Sequence, residues 1–297
     1  MATAAFRSIL APVDFGELSA EALRYASALA QCGGARLEAM YANAFTPPPY
    51  FTESRLADFE RQFRDSFAEA RAALQSFVDE TLGAGAGGVA ATVVEGLPVD
   101  AIQKVSAELK PDLIVMGTHG RSGVNRLLLG SVTERLLRES RVPVLTVRHG
   151  TRAAAQAPLI RSILCPVNNS PVARNSLAKA AEIAACFGAT VTALHVKERR
   201  GADAIPDLCA WLAEQDRPKC AVQEEIREGE AATQILSTAA EMPCDLLVLG
   251  AQHKRFFDST VLGTTTVRVV RNARCPVLTL PASPAGSAAE SGAAAAR

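Results

Sequence analysis

Two copies of one sequence pattern make up most of this chain, and the repeat constrains its fold more than any other feature. SILAPVDFGELSAEALRYASALAQCGGARLEAMYA, residues 8–42, matches SILCPVNNSPVARNSLAKAAEIAACFGATVTALHV, residues 162–196, at an offset of 154. Further along, PDLIVMG pairs with CDLLVLG and RVPVLTV with RCPVLTL, at an offset of 133. The 297 residues therefore form two related domains, and the first has 21 extra residues between its second and third strands.

Each copy alternates short apolar runs with longer amphipathic segments. The apolar runs of the first copy are SILAPV, RLEAMYA, ATVVEG, DLIVMG and VPVLTVR. Almost wholly apolar strands that alternate with helices predict a parallel sheet covered on both faces. We expect an α/β fold of two tandem Rossmann-like domains, each a five-stranded parallel sheet of order 3-2-1-4-5 with helices on both faces.

Composition shifts indicate the domain boundaries. We place the first domain at 1–149 and the second at 160–281. Between them, 150–159 is a linker of small residues, and the tail 282–297 has no large apolar side chain, so we expect it to be disordered.

The insert of the first copy has apolar residues at spacings of three and four, from Leu56 to Leu82. This periodicity predicts one helix with a stripe that faces the core. A ligand groove lined by Phe59, Phe63 and Phe67 is the alternative. The preceding TPPPYFTES predicts a loop near the carboxyl ends of the strands, which could act as a lid.

Composition also bears on partners and location. Lys plus Arg equals Asp plus Glu, at 31 each, so the charge gives no case for nucleic acid as a partner. The sequence has no signal-peptide core and no apolar run long enough to span a bilayer, so we expect a cytoplasmic protein without membrane contact.

Seven cysteines without a CxxC pair favour reduced, mostly buried thiols over a disulfide framework. A zinc site at Cys209 and Cys220 has only weak support from spacing.

A glycine-containing stretch, GTHGRSGVNRLLLGSV, starts at Gly117 after the fourth apolar run. A loop between a strand and a helix presents backbone N–H groups, and glycine lets an anion approach them. We expect Gly117 and Gly120 to form one wall of a phosphate site. Gly130 and Ser131 would form the other, and Arg121 is a candidate phosphate neighbour. Ordinary turns are the alternative explanation of these glycines.

Two further residues have more than one interpretation. SVTE reads as a capping box with Ser131 as the N-cap and Glu134 three residues later, a role that can coexist with ligand contact. Asp14 follows the first strand, and in a sheet of order 3-2-1-4-5 it faces the same crevice as the Gly117 loop, where it could accept from nucleoside hydroxyls. Its alternative role is to cap the next helix.

With these residues in place, the chain resembles the universal stress protein family in its tandem form, over about 270 residues. The motif of the ATP-binding branch is glycine, two residues, glycine, nine residues, glycine and Ser or Thr, and the stretch from Gly117 to Ser131 matches it throughout. The resemblance implies ATP, with or without Mg²⁺, as the ligand. It implies contacts from Pro12, Val13, Asp14, Ala42, Met116, Gly117, His119, Gly120, Gly130, Ser131 and Val132.

The second copy departs from this motif. Asn168 stands where the first copy has Asp14, and His253 stands where it has Gly120, although Gly250 and Gly263 remain. A side chain at the second glycine would occupy phosphate space or strain the turn. We therefore expect one ATP site per chain, and we expect Lys254 and Arg255 to lie in a solvated loop, with weak anion binding as the alternative.

The glycine loop contains no dedicated base or Walker-type magnesium ligand, and we expect His119 to be structural or solvent-facing. We therefore assign no catalytic or metal-binding residue. The favoured function is an ATP-binding regulatory protein of the stress response. The alternatives are a slow ATPase or autokinase, and a nucleotide-free module that acts by protein association. The resemblance also implies that the last strands pair within the chain, and a homodimer of the whole chain is a further expectation.

Overall fold

The computed structural model describes residues 5–44, 53–120, 129–148, 160–198, 205–215, 220–251, 253–256 and 259–282. Most of the proline-rich segment, Arg121, the interdomain linker and the tail lie outside these ranges.

In the first domain, strands and helices alternate as predicted. The elements are β1 (Ser8–Val13), α1 (Glu17–Gly33), β2 (Arg36–Asn43), α2 (Glu53–Leu82), a 3₁₀ turn (Gly83–Ala86), β3 (Val89–Glu95), α3 (Pro98–Leu109), β4 (Leu113–Gly117), α4 (Ser131–Glu139) and β5 (Val144–Val147). The second domain repeats the pattern with a much shorter helix after its second strand, and two short strands pair as a hairpin before its last helix. Its elements are β6 (Ser162–Val167), α5 (Pro171–Phe187), β7 (Thr190–Lys197), α6 (Leu208–Ala213), β8 (Ala221–Glu228), α7 (Ala231–Glu241), β9 (Leu246–Ala251), β10 (His253–Phe256), β11 (Ser259–Leu262), α8 (Thr264–Asn272) and β12 (Val277–Pro281).

Ten strands form one sheet, in the order β3-β2-β1-β4-β5-β12-β9-β6-β7-β8. Neighbouring strands within each domain run parallel. Strands β5 and β12 pair antiparallel where the domains meet, with Leu145 opposite Leu278. The predicted α/β fold, with helices on both faces of a mainly parallel sheet, is confirmed.

Two apolar cores cover the two faces of this sheet, and each extends across both domains. One contains side chains of α1, α2, α5 and α6, such as Leu23 and Leu177. The other contains side chains of α3, α4, α7 and α8, such as Leu136 and Val269. The domains therefore share their cores as well as their sheet.

Helix α2 occupies the insert of the first copy and packs on β2 and β3. Leu74 and Val78 are fully buried, whereas Phe63 and Phe67 are half-buried and their ring centroids lie 4.7 Å apart. The prediction of a core-facing stripe is confirmed for the second half of the helix. The side chains of Leu56 and Phe59 lie outside the described part of the chain.

The cysteines differ from the expectation of reduced thiols. Cys32 and Cys186 form a disulfide, with their Cα atoms 5.9 Å apart. The expectation was wrong for this pair because spacing along the chain does not show that α1 and α5 lie side by side. In the described part of the chain, five further cysteines take no part in a disulfide: Cys165, Cys209, Cys220, Cys244 and Cys275.

Candidate functional site

The candidate site lies at the carboxyl ends of β1, β2 and β4. β1 pairs with β2 on one side and with β4 on the other. Pro12 and Val13 end β1, Ala42 lies near the end of β2, and Met116 and Gly117 end β4. The strand order thus brings together the three segments that the sequence singled out, at the position where parallel sheets bind ligands.

Asp14 leaves the end of β1 and contacts two different elements. Its Oδ1 accepts from the backbone N–H of Gly16 and from the hydroxyl of Ser19, in the first turn of α1. Its Oδ2 lies 3.1 Å from the position that a Cβ would occupy at residue 120. Asp14 therefore supports the start of α1 with one oxygen and faces the glycine loop with the other, while Gly16 is the N-cap of α1.

The residue after Asp14 has an unusual backbone. Phe15 has a φ of 63°, in the left-handed region that a bulky residue rarely adopts. Its ring lies 4.5 Å from that of Tyr41 and 5.5 Å from that of Phe77 in α2, measured between centroids. These contacts hold the turn that presents Asp14, and no sequence pattern indicated them.

The three motif glycines serve different purposes. A Cβ at Gly117 would lie 2.9 Å from the Cβ of Leu18, so this glycine allows α1 to pack closely on β4. Gly250 has the same role in the second domain, where a Cβ would lie 2.9 Å from Val172. A Cβ at Gly130 would lie 3.0 Å from the carbonyl oxygen of Thr118. Gly120 faces Asp14, so a side chain at this position would occupy the crevice.

Helix α4 begins at Ser131, and its N-cap is Gly130. The predicted capping box is therefore wrong. The N–H of Gly130 donates to the Thr118 carbonyl at 2.8 Å, and the Gly130 carbonyl accepts from the N–H of Glu134 at 2.8 Å, so the N-cap lies one residue before the predicted one. Ser131 is exposed in the first turn, and the Glu134 carboxylate instead pairs with Arg271 of the second domain at 3.3 Å.

The first turn of α4 closes on the end of β4. Thr133 donates its hydroxyl to the carbonyl of Gly117 at 2.9 Å, and its side chain is buried. Ser131 and Val132 are thereby held beside the glycine loop, with the backbone N–H groups that the start of a helix leaves without an intrahelical acceptor. This hydrogen bond had no signal in the sequence.

His119 is half-buried in the loop after β4. Its Nδ1 lies 3.0 Å from the hydroxyl of Thr118, which is itself buried. Arg121, the predicted phosphate neighbour, lies outside the described residues.

The corresponding part of the second domain is built differently. Asn168 accepts from the Ser170 hydroxyl at 2.5 Å, and Ser170 caps α5. Strands β10 and β11 form an antiparallel hairpin at positions that correspond in sequence to the glycine motif of the first domain. The expected solvated loop is therefore wrong for its backbone, because the segment between Gly250 and Gly263 has no glycine and contains Phe, Thr and Val, which favour strands.

His195 occupies the position in the second domain that Tyr41 has in the first. Its ring is 1% exposed, its Nδ1 lies 3.0 Å from the Val167 carbonyl and its Nε2 accepts from the N–H of Ile205 at 3.1 Å. Because Nε2 accepts, the ring is neutral and Nδ1 donates. The carbonyl at the end of β6 is thus hydrogen-bonded to a side chain of β7.

The described residues contain neither a cluster of metal-ligating side chains nor a membrane-spanning helix. No group of three or more His, Cys, Asp or Glu side chains could hold a metal ion there. None of the helices described combines the length and apolar character needed to cross a bilayer.

Comparison with known proteins agrees with these observations. The model of the universal stress protein family matches residues 5–148 and again 160–281. A universal stress protein of Thermus aquaticus is 34% identical over 147 residues, which is 48% of this chain and 99% of the relative.

Two solved structures are also similar. A universal stress protein from Archaeoglobus fulgidus covers 92% of this chain and 98% of its own, with a TM-score of 0.67 and 24% identity, which shows a shared fold. A universal stress protein solved in complex with cAMP aligns with 48% of this chain and 97% of its own, at 28% identity and a TM-score of 0.37. By the two family matches, which together span most of its length, this chain belongs to the universal stress protein family.

Proposed function

We propose that the first domain binds ATP, with or without Mg²⁺, and that the chain is a nucleotide-binding regulatory protein of the stress response. The observation that carries the proposal is the position of the Asp14 carboxylate, whose Oδ2 is 3.1 Å from the Cβ position of Gly120. Three groups meet at the carboxyl ends of β1 and β4: a carboxylate, a glycine backbone without a side chain, and the start of α4. A nucleoside triphosphate carries groups suited to each of them.

Each part of the nucleotide has a counterpart in the site. The backbone at Pro12, Val13 and Ala42 would contact the nucleoside, and Asp14 would accept from its hydroxyls. The loop of Met116, Gly117, His119 and Gly120 would pass along the phosphates, with Arg121 as a neighbour. The helix start at Gly130, Ser131 and Val132 adds a positive dipole end. The N–H of Gly130 already binds Thr118, so the N–H groups of Ser131 and Val132 are the donors on this side.

The second domain is proposed to serve pairing or regulation and to bind no ATP. Its hairpin lies at the positions of the glycine motif, His253 replaces the second glycine, and Asn168 replaces the carboxylate. It joins the first domain through β5 and β12 and through the Glu134–Arg271 ion pair on α4. The first turn of α4 therefore contacts the second domain directly, so a change there can be transmitted to that domain. A homodimer and an unidentified protein partner remain part of this proposal.

Calorimetry and mass spectrometry test the proposal. Nucleotide released from the purified chain is identified by mass, and the binding of ATP, cAMP and tripolyphosphate is then measured by calorimetry. We expect retained ATP, one site per chain, and weaker binding of cAMP, which has no polyphosphate for the second wall. Retained ADP would favour the slow ATPase, and no binding of any adenine nucleotide would favour the association module.

A matched pair of variants locates the site. Gly120→His should weaken ATP binding roughly 10- to 100-fold, because a side chain there meets Asp14 and the phosphate path, a cost of about 1–3 kcal/mol. Gly87→His is the control, since a Cβ at Gly87 meets nothing within 4 Å. Parent-like ATP affinity in Gly120→His would refute the proposed site.

A further inference from the structure

The disulfide of this chain joins equivalent positions of the two repeats. Cys32 lies near the end of α1 and Cys186 near the end of α5, and their separation of 154 residues equals the offset of the sequence repeat. A contact between a residue and its own repeat equivalent is what a two-fold interface produces on its axis. The two helices therefore meet at an internal two-fold, and the cysteines lie on it.

Noncovalent contacts also join α5 to the first domain, and α1 and α5 contact each other. The Lys179 ammonium of α5 donates to the Ala5 carbonyl at 2.7 Å and lies 4.9 Å from the centroid of the Phe6 ring. Leu29 of α1 and Ile183 of α5 are buried in the same apolar core. The covalent bond thus lies at the end of a contact between helices of different domains.

Both bonded cysteines are within reach of solvent. Cys32 and Cys186 are half-buried, at the carboxyl ends of their helices. Cys165 is the contrasting case, because it is fully buried and burial strongly raises the pKa of its thiol. Thiol–disulfide exchange requires access for an attacking thiolate, so the Cys32–Cys186 bond can take part in it and Cys165 cannot.

We propose that Cys32 and Cys186 form a reversible, redox-controlled cross-link between the two domains. The partner is a low-molecular-weight thiol and its disulfide. One small thiolate attacks a sulfur of the bond, forming a mixed disulfide and releasing the other cysteine as a thiolate that takes up a proton. A second small thiolate attacks the small-molecule sulfur of the mixed disulfide and displaces the remaining cysteine as a thiolate, which also takes up a proton, so the products are two protein thiols and one small disulfide. Two electrons pass to the protein, and closing the bond reverses these steps.

Several observations favour a reversible bond over a static one. Both bonded cysteines keep partial solvent exposure, which an attacking thiolate needs. The domains also stay joined by β5 and β12 and by shared cores, so opening the bond leaves the sheet intact. This inference does not rest on nucleotide binding.

Peptide mass spectrometry tests the cross-link in the full chain. The protein is equilibrated in graded mixtures of reduced and oxidised glutathione, quenched with acid, alkylated and digested. We expect a Cys32–Cys186 peptide that grows with the oxidised fraction and disappears in reduced glutathione without denaturant. Cys32→Ser should remove this peptide and leave Cys186 fully alkylated. Cys209→Ser is the control, because Cys209 is exposed and lies outside the bond, and its transition should match that of the parent.

Three outcomes would overturn the proposal. These outcomes are a linked peptide that forms in none of the mixtures, a Cys32 that pairs with another cysteine, and a bond that resists reduction until the protein is unfolded. Hydrogen exchange supplies a second measurement on the oxidised and reduced chains. We expect at least twofold faster exchange at the carboxyl ends of α1 and α5 after reduction. Equal rates would show that the bond does not restrain the contact between the domains.

Discussion

At the scale of single residues, the structure separates glycines that look alike in the motif. Gly117 and Gly250 are retained in both domains because a helix packs against each of them at a Cβ distance of 2.9 Å. Gly120 is replaced by histidine in the second domain, and its Cβ position faces a carboxylate instead of a helix. Retention and loss therefore follow two different physical requirements, close packing and access to the crevice.

Phe15 offers a test of backbone conformation beside Asp14. Phe15→Ala should lower the free energy of unfolding by about 2 kcal/mol, because the contacts with Tyr41 and Phe77 are lost. Phe15→Gly should be more stable than Phe15→Ala by about 1 kcal/mol, because glycine adopts a φ of 63° without strain. Urea denaturation measures both variants.

The control for this pair is a helical position. Ala72 is exposed in α2, and Ala72→Gly should lower the free energy of unfolding by about 1 kcal/mol. The order of Ala and Gly is thus opposite at the two positions. If Phe15→Gly were less stable than Phe15→Ala, the left-handed turn would not contribute as described.

At the scale of elements, α4 decides how the second wall of the site is built. The helix is anchored from inside by Thr133, which binds the Gly117 carbonyl, and its N-cap is Gly130. The motif S-x-x-E gave the right region and the wrong first residue, because the bond from Gly130 to Thr118 sets where the helix starts. The N-cap of a helix depends on the contacts of the residues that precede it, and the contact of Gly130 with Thr118 is a tertiary feature.

Two substitutions in the first turn of α4 should have unequal effects. Ser131→Ala should change the free energy of unfolding by less than about 0.5 kcal/mol, because it removes only the hydroxyl of an exposed residue that is not the N-cap. Thr133→Val should cost about 1–3 kcal/mol, because it leaves the Gly117 carbonyl without its side-chain donor in a buried position. Thermal or urea unfolding compares them. A loss of about 1 kcal/mol in Ser131→Ala would restore the capping box.

At the scale of the whole molecule, two repeats make one sheet of ten strands. Strand β5 is buried along its whole length, and its outer edge is paired with β12. The hydroxyl of Thr146 adds a bond to the Val277 carbonyl at 3.2 Å. Each domain thus covers an edge and an apolar surface of the other, which a single domain would leave exposed.

A chain of residues 1–148 alone should therefore self-associate. The exposed β5 edge of one copy would pair antiparallel with that of a second copy, in the position that β12 occupies in the full chain. Light scattering after size-exclusion chromatography at tens of micromolar should give twice the mass of the fragment. A folded monomer at that concentration would show that the edge needs no partner.

The sequence alone determined the repeat, the α/β class, the family resemblance and the residues of the candidate site. The repeat and the fold class follow from local periodicity, and the site residues follow from glycine spacing together with what the family resemblance implies. Tertiary structure decided what depends on approach between distant segments. It paired Cys32 with Cys186, placed Asp14 against Gly120, moved the start of α4 to Ser131 and formed a hairpin in the second domain. Such contacts depend on the relative positions of whole strands and helices, and spacing along one sequence does not contain them.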